Sequence, residues 1–170
     1  LGARGIGTTL PAMAEDTYTV ERSATIDAPP ARIYEQIADF HNWTNWSPGE
    51  GLDPALQRTY SGAESCTGAV YGWSGNRKAG QGRMEITDVT EPSRLQIDLV
   101  FEKPWKARND TWFTIAPEGP GSRVTWTMTG KKTFMTKAMG IFKSMDKLIG
   151  PDFEKGLAGL KATTERSAPN

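Results

Sequence analysis

Cysteine and histidine are nearly absent from this chain of 170 residues, with one of each, Cys66 and His41. A lone cysteine excludes an intrachain disulfide framework, and together the two cannot complete a four-ligand zinc site. Neither stands in a local signature that would bring a nucleophile and its base together, which disfavours Cys/His and Ser/His/Asp chemistry. Gly5 and Gly7 lack the third glycine and the preceding strand of a dinucleotide loop. No metal and no cofactor is therefore expected. Net charge is also missing, 20 Lys and Arg against 20 Asp and Glu, whereas a nucleic-acid partner usually demands a basic excess. No 18-residue apolar run occurs, so no membrane span is expected within the chain as given.

What the chain does have is apolar bulk: 37% hydrophobic residues, with six Trp, six Phe, four Tyr and six Met. That suffices for the core of one domain and rules out wholesale disorder. Residues 1–16 are rich in Gly and Thr without periodicity and read as a flexible tail. Their Ala12-Met13-Ala14 is a small-x-small pattern of the sort that precedes a signal-peptide cleavage point. A longer native N-terminus with a membrane tether thus stays open, and with it the choice between a cytoplasmic and an envelope-associated domain. The domain itself is expected over 17–166, followed by a short tail, 167–170.

From Thr17, apolar Tyr18, Val20, Ala24 and Ile26 alternate with polar residues, the period of a half-buried strand. Ala28-Pro29-Pro30 ends it, and Pro30 suits a first helical turn before Ile33, Tyr34 and Ile37. A second short helix is predicted through DFHNWTNW, closed by Pro48 and Gly49. Six strands follow, over 57–61, 68–74, 82–89, 94–102, 106–116 and 123–131, separated by turn residues. The last third has helical period: Met135, Ala138, Met139, Phe142, Met145, Ile149, Phe153, Leu157 and Leu160 fall on one side at 100° per residue. Gly150-Pro151 predicts a kink or break in that helix. From residue 131 onward, eight basic residues face four acidic ones, a solvated outer face with, as its lesser meaning, weak affinity for anionic membrane.

The phrases V-E-R-S-A-T-I-D-A-P-P (20–30), D-F-H-N-W-T-N-W-S-P (39–48), G-A-V-Y-G-W-S-G-N (68–76), G-x-G-R-M-E-I-T (80–87), R-V-T-W-T-M-x-G (123–130) and M-D-K-x-I-G-x-D-F-E-K-G-L (145–157) stand in this order. With the order of elements, they resemble the START-like (Bet v 1-type, SRPBCC) superfamily, in its polyketide cyclase/dehydrase and lipid-transport branch. The resemblance implies an α+β helix-grip fold: a seven-stranded curved antiparallel sheet wrapped around a long C-terminal helix, with two short helices after the first strand. A lipocalin, the rival all-β container, would not place two helices there.

A curved sheet gripping one helix leaves a gap unless large side chains fill it. The lining expected by strand parity is Tyr71, Trp73, Met84, Ile86, Leu99, Phe101, Asn109, Phe113, Trp126 and Met128, and from the helix Met139, Phe142, Met145, Asp146 and Ile149. Methionine suits a site for variable apolar shapes because its thioether chain repacks. Gly72, Gly80 and Gly82 mark bulges or sharp curvature first and ligand clearance second. Trp43 and Trp46 divide evenly between lid and core, and His41 belongs on the surface.

Asp146 is the sharpest anomaly. About 40° from Phe142 around the helix, it falls inside the apolar stripe, where an unpaired carboxylate incurs a large desolvation penalty. It is expected to ion-pair with an Arg or Lys at the rim, to brace the Gly150-Pro151 break, or else to act as an acid or base. With Tyr71 and Asn109 it completes the set of catalytic candidates. The primary expectation is binding of a lipid, isoprenoid or aromatic polyketide. A cyclase-like enzyme using the same cavity is the alternative, and a partner-binding module with a filled core is the third.

Overall fold

Alternating polarity along seven segments builds one antiparallel sheet in the computed structural model, which describes residues 17–132 and 145–166. The strands are β1 (Thr17–Ile26), β2 (Gln57–Gly62), β3 (Ala69–Ser74), β4 (Gln81–Thr90), β5 (Arg94–Lys103), β6 (Ala107–Glu118) and β7 (Gly121–Lys131). Their spatial order is β1-β7-β6-β5-β4-β3-β2, so β1 closes back on the last strand of a meander. Helix α1 (Pro30–Ala38) and a 3-10 helix (Phe40–Asn45) follow β1, and helix α2 (Met145–Arg166) packs on the β1 side. This is the helix-grip arrangement. Met139 and Phe142 lie outside the described residues.

The tryptophan-rich segment after α1 has a local task that its sequence does not announce. The last four carbonyls of a helix lack intrahelical donors, and here each finds one. Asn42 Nδ2 donates to Glu35 (3.0 Å), Trp46 Nε1 to Gln36 (3.1 Å), Trp43 Nε1 to Ile37 (2.9 Å) and the Cys66 amide to Ala38 (2.9 Å). The two indoles are therefore both C-terminal partners of α1 and, being buried, part of the core. That answers the choice between lid and core.

Val20 and Ile26 of β1, Ile86 of β4, Leu95 and Ile97 of β5, Phe113 and Ile115 of β6 and Val124 of β7 are sealed on the inner face. Phe153, Leu157 and Leu160 seat α2 against it. At about 1.5–3 kcal/mol for each large apolar side chain fully buried, those three hold the helix by roughly 5–9 kcal/mol before entropy is counted. Close approach also needs Gly156 and Gly159: an added Cβ would lie 2.8 Å from Trp126 in the first case and 2.8 Å from the Trp46 carbonyl oxygen in the second.

Of the kink or break expected at Gly150-Pro151, the break does not occur; α2 runs through both residues. Pro151 has no N–H for the Lys147 carbonyl, but Arg22 bonds Asp146 on one side of the proline and Glu154 on the other. One guanidinium thus clamps the turns that flank it.

Candidate functional site

Between β3–β5, β7, the start of α2 and the 47–56 loop lies a cavity of about 290 Å³. Its sheet wall is Tyr71, Trp73, Met84, Leu99, Phe101, Trp126 and Met128, faced by Ile149 and Phe153 of the helix. Trp43 adds to the wall, and Pro48, Leu52 and Leu56 come from the loop. The structure thus brings together Tyr71, Trp73, Met84, Leu99, Phe101, Trp126, Met128 and Ile149 of the expected lining. Ile86 and Phe113 share their parity but sit sealed in the closed half of the core. Met145 is half-buried against that core.

The wall is stiff where it is aromatic. Trp126 stacks on Phe153 with centroids 4.0 Å apart and planes 4° apart, and on Phe113 at 4.8 Å. Trp73 lies edge-on to Phe101 at 5.7 Å and donates its Nε1–H to the Ala79 carbonyl (2.9 Å). Gly82 makes room for that indole, since a Cβ there would stand 2.6 Å from the Trp73 ring and 2.4 Å from the Val100 carbonyl oxygen. The register shifts between Gln81 and Gly82, so this glycine marks a bulge and clears a cavity-wall residue together.

The 47–56 loop is pinned to the β3–β4 turn. Asp53 accepts the Asn76 amide (2.8 Å), Asn76 Nδ2 donates to the Leu52 carbonyl (3.1 Å), and Asn76 Oδ1 accepts the amides of Lys78 and Ala79. This linkage places Leu52, Leu56, Lys78 and Ala79 around one side of the cavity. Short-range periodicity says nothing about an irregular loop, so its part in the cavity wall is missing from the expected lining. The Asn-Arg-Lys turn at 76–78 is the signal that could have found it.

The polar groups of the lining are Ser47, Glu50, Lys78, Asp152 and the Tyr71 phenol, of which Lys78 and Asp152 are exposed and Tyr71 is buried. Glu50 ion-pairs with Arg58 of β2 and holds its guanidinium charged. Burial pushes the Tyr71 hydroxyl above the usual phenol range, with Arg58 opposing. At neutral pH Tyr71 is therefore a hydrogen-bond donor. His41 is exposed beside Asp39 and stacks on Tyr60 at 4.0 Å.

Asn109 and Asp146 stand elsewhere. Asn109 is buried and accepts from the Tyr18 hydroxyl at 2.6 Å. Asp146 keeps the azimuth of Phe153 and Leu157 on α2, but at the first turn its side chain is 50% exposed, with its carboxylate on Arg22 at 2.7 and 2.9 Å. Arg22 is the cationic partner that the helical pattern requires without identifying. It occupies the same inward parity of β1 as Val20 and Ala24, opposite Trp126, and Gly150 leaves space for its guanidinium, which a Cβ would approach to 2.1 Å.

The Arg22 bond lowers the Asp146 pKa. A carboxylate lowered on folding stabilises fully above its unfolded value and ceases to as pH falls through its folded one. Asp146→Asn is therefore expected to lower Tm at neutral pH by at most about 3 °C, the pair being exposed. The difference should vanish below the ordinary carboxylate range, with uptake of an apolar probe unchanged. Thermal melts against pH check the first part, and a loss of uptake would place Asp146 in the site.

The sequence profile described as polyketide cyclase/dehydrase and lipid transport matches residues 17–165. No curated protein matches the chain. Among solved structures, TTHA0849 from Thermus thermophilus is similar at 22% identity and a TM-score of 0.66, over 89% of this chain and 100% of that one. MLL2253 from Mesorhizobium loti is similar at 18% identity and a TM-score of 0.63, over 89% and 100%. Ara h 8.0201 is similar at 14% identity and a TM-score of 0.58, over 88% and 96%. At these identities the likeness is one of fold.

Proposed function

Since the chain belongs to the polyketide cyclase/dehydrase and lipid transport family, we propose that it is a binding protein for one small apolar or amphipathic molecule held in the cavity beside α2. The observation that carries this reading is the contrast between the two halves of one inner face. Ile86, Ile97 and Phe113 close on their neighbours, whereas Met84, Leu99, Phe101 and Met128 line open space. Native interiors rarely keep such voids.

About 290 Å³ is close to the lower bound of the roughly 300–1,000 Å³ of small-molecule sites, room for a single acyl or isoprenoid chain or a compact aromatic polyketide. Two methionines in the wall tolerate variation in its shape. Tyr71 and Lys78 are the lining donors that could meet the ligand's polar end. Of the three catalytic candidates only Tyr71 lines the cavity, and a phenol raised by burial serves as a donor and not as a base, so a cyclase-like reaction in the same space would have to draw its base from Glu50 or Asp152.

Native mass spectrometry of protein purified gently from its natural host is expected to show a retained apolar molecule, displaced by 1-anilinonaphthalene-8-sulfonate. Absence of both retained mass and saturable dye uptake would overturn the reading.

A further inference from the structure

The β5–β6 turn exposes Trp105 at 46%, more than any other large hydrophobic residue among those described. It stands in Lys103-Pro104-Trp105-Lys106, with both lysines exposed. Pairing of Phe101 with Ala107 and of Asn109 with Gly130 brings the end of β7 alongside, so Lys131 and Lys132 emerge at the same end of the sheet. Lys103, Lys106 and Lys131 border one concavity together with Phe101, and Phe101 also lines the apolar cavity. Leu52, another exposed apolar residue, lines that cavity too and is tied to the β3–β4 turn at this end.

The charges here are only partly matched. Arg108 is occupied by Asp98 through two bonds of 3.0 Å, while Glu102, bonded to the neutral Gln81 amide, keeps one negative charge in the same concavity. The ammonium groups of Lys103, Lys106, Lys131 and Lys132 form no ion pair among the described residues. A chain of zero net charge thus places these four cations and one exposed indole at the same end of the sheet. Solvation alone would account for the lysines but not for the tryptophan. An indole settles at the boundary between headgroups and hydrocarbon, and lysines beside it gain from anionic lipid.

We propose that this end of the sheet docks on an anionic bilayer, with Trp105 at headgroup depth and the four lysines against the lipid charges, bringing the Phe101 side of the cavity next to the membrane. The docking goes beyond uptake of a ligand and does not depend on what fills the cavity.

Co-sedimentation with vesicles of phosphatidylcholine, alone or with about 30% phosphatidylglycerol, tests it. Binding is expected only to the anionic vesicles and should be lost at about 0.5 M salt. Lys103→Glu with Lys106→Glu should weaken it by at least about tenfold and Trp105→Ala by about fivefold. All three sites are exposed, so Tm and dye uptake should hold. Equal binding to neutral vesicles, no binding to either kind, or variants that bind like the parent would each overturn the proposal, whether or not the cavity takes up ligand.

Discussion

Replacing Trp126 with alanine is expected to lower Tm by on the order of 10 °C, from a loss of about 3–5 kcal/mol for a large aromatic removed from a core. Its ring stacks on Phe153 of α2 and on Phe113 of β6, so truncation opens a hole where helix and sheet meet. Its Nε1–H donates to Thr111 Oγ1 at 2.8 Å, and that hydroxyl donates to the Thr127 carbonyl at 2.8 Å. Trp126→Phe separates the two effects: it keeps the stack but removes the indole donor, at about 1 kcal/mol. Thermal denaturation of both variants is the measurement. A fall of under about 2 °C for alanine would mean that α2 is held without this contact.

Leu99→Trp should cost at least tenfold in affinity for an apolar dye while moving Tm by only a few degrees. Leu99 borders the cavity, so the larger ring enters open space. Ile97, two residues earlier on the same face, is sealed at 0% exposure. Ile97→Trp should therefore carry the full cost of overpacking, about 1–3 kcal/mol or more. Dye titration and melting of the pair distinguish the halves of the inner face. Undiminished affinity in a folded Leu99→Trp protein would show that the ligand binds elsewhere.

The two substitutions also mark how far residue order reaches. Strand parity places Ile97 and Leu99 on one face, as the structure has them, but parity gives the direction of a side chain and not the distance to whatever lies opposite. It therefore puts Ile86 and Phe113 in the cavity wall with Met84 and Trp126. In the structure α1 and the 3-10 helix lie over that closed half, where Trp43 meets Phe113 edge-on at 5.9 Å. The helical wheel likewise gives Asp146 its direction, shared with Phe153 and Leu157, but not its exposure or its partner. Its surroundings come from Arg22, 124 residues away, and no local pattern carries that information.

Residue order alone was enough for the seven strands and the two short helices after β1, because side-chain period, proline stops and turn residues act over a few neighbours at a time. The family rested on the likeness of whole phrases, and the unbroken course of α2 through Gly150-Pro151 was not foreseen. Which part of the inner face is closed and which is hollow became visible only in three dimensions, since that depends on how residues far apart in the chain meet across the sheet. Arg22 clamping Asp146 and Glu154, and Asn76 holding the 47–56 loop beside the cavity, are both contacts of that long-range kind.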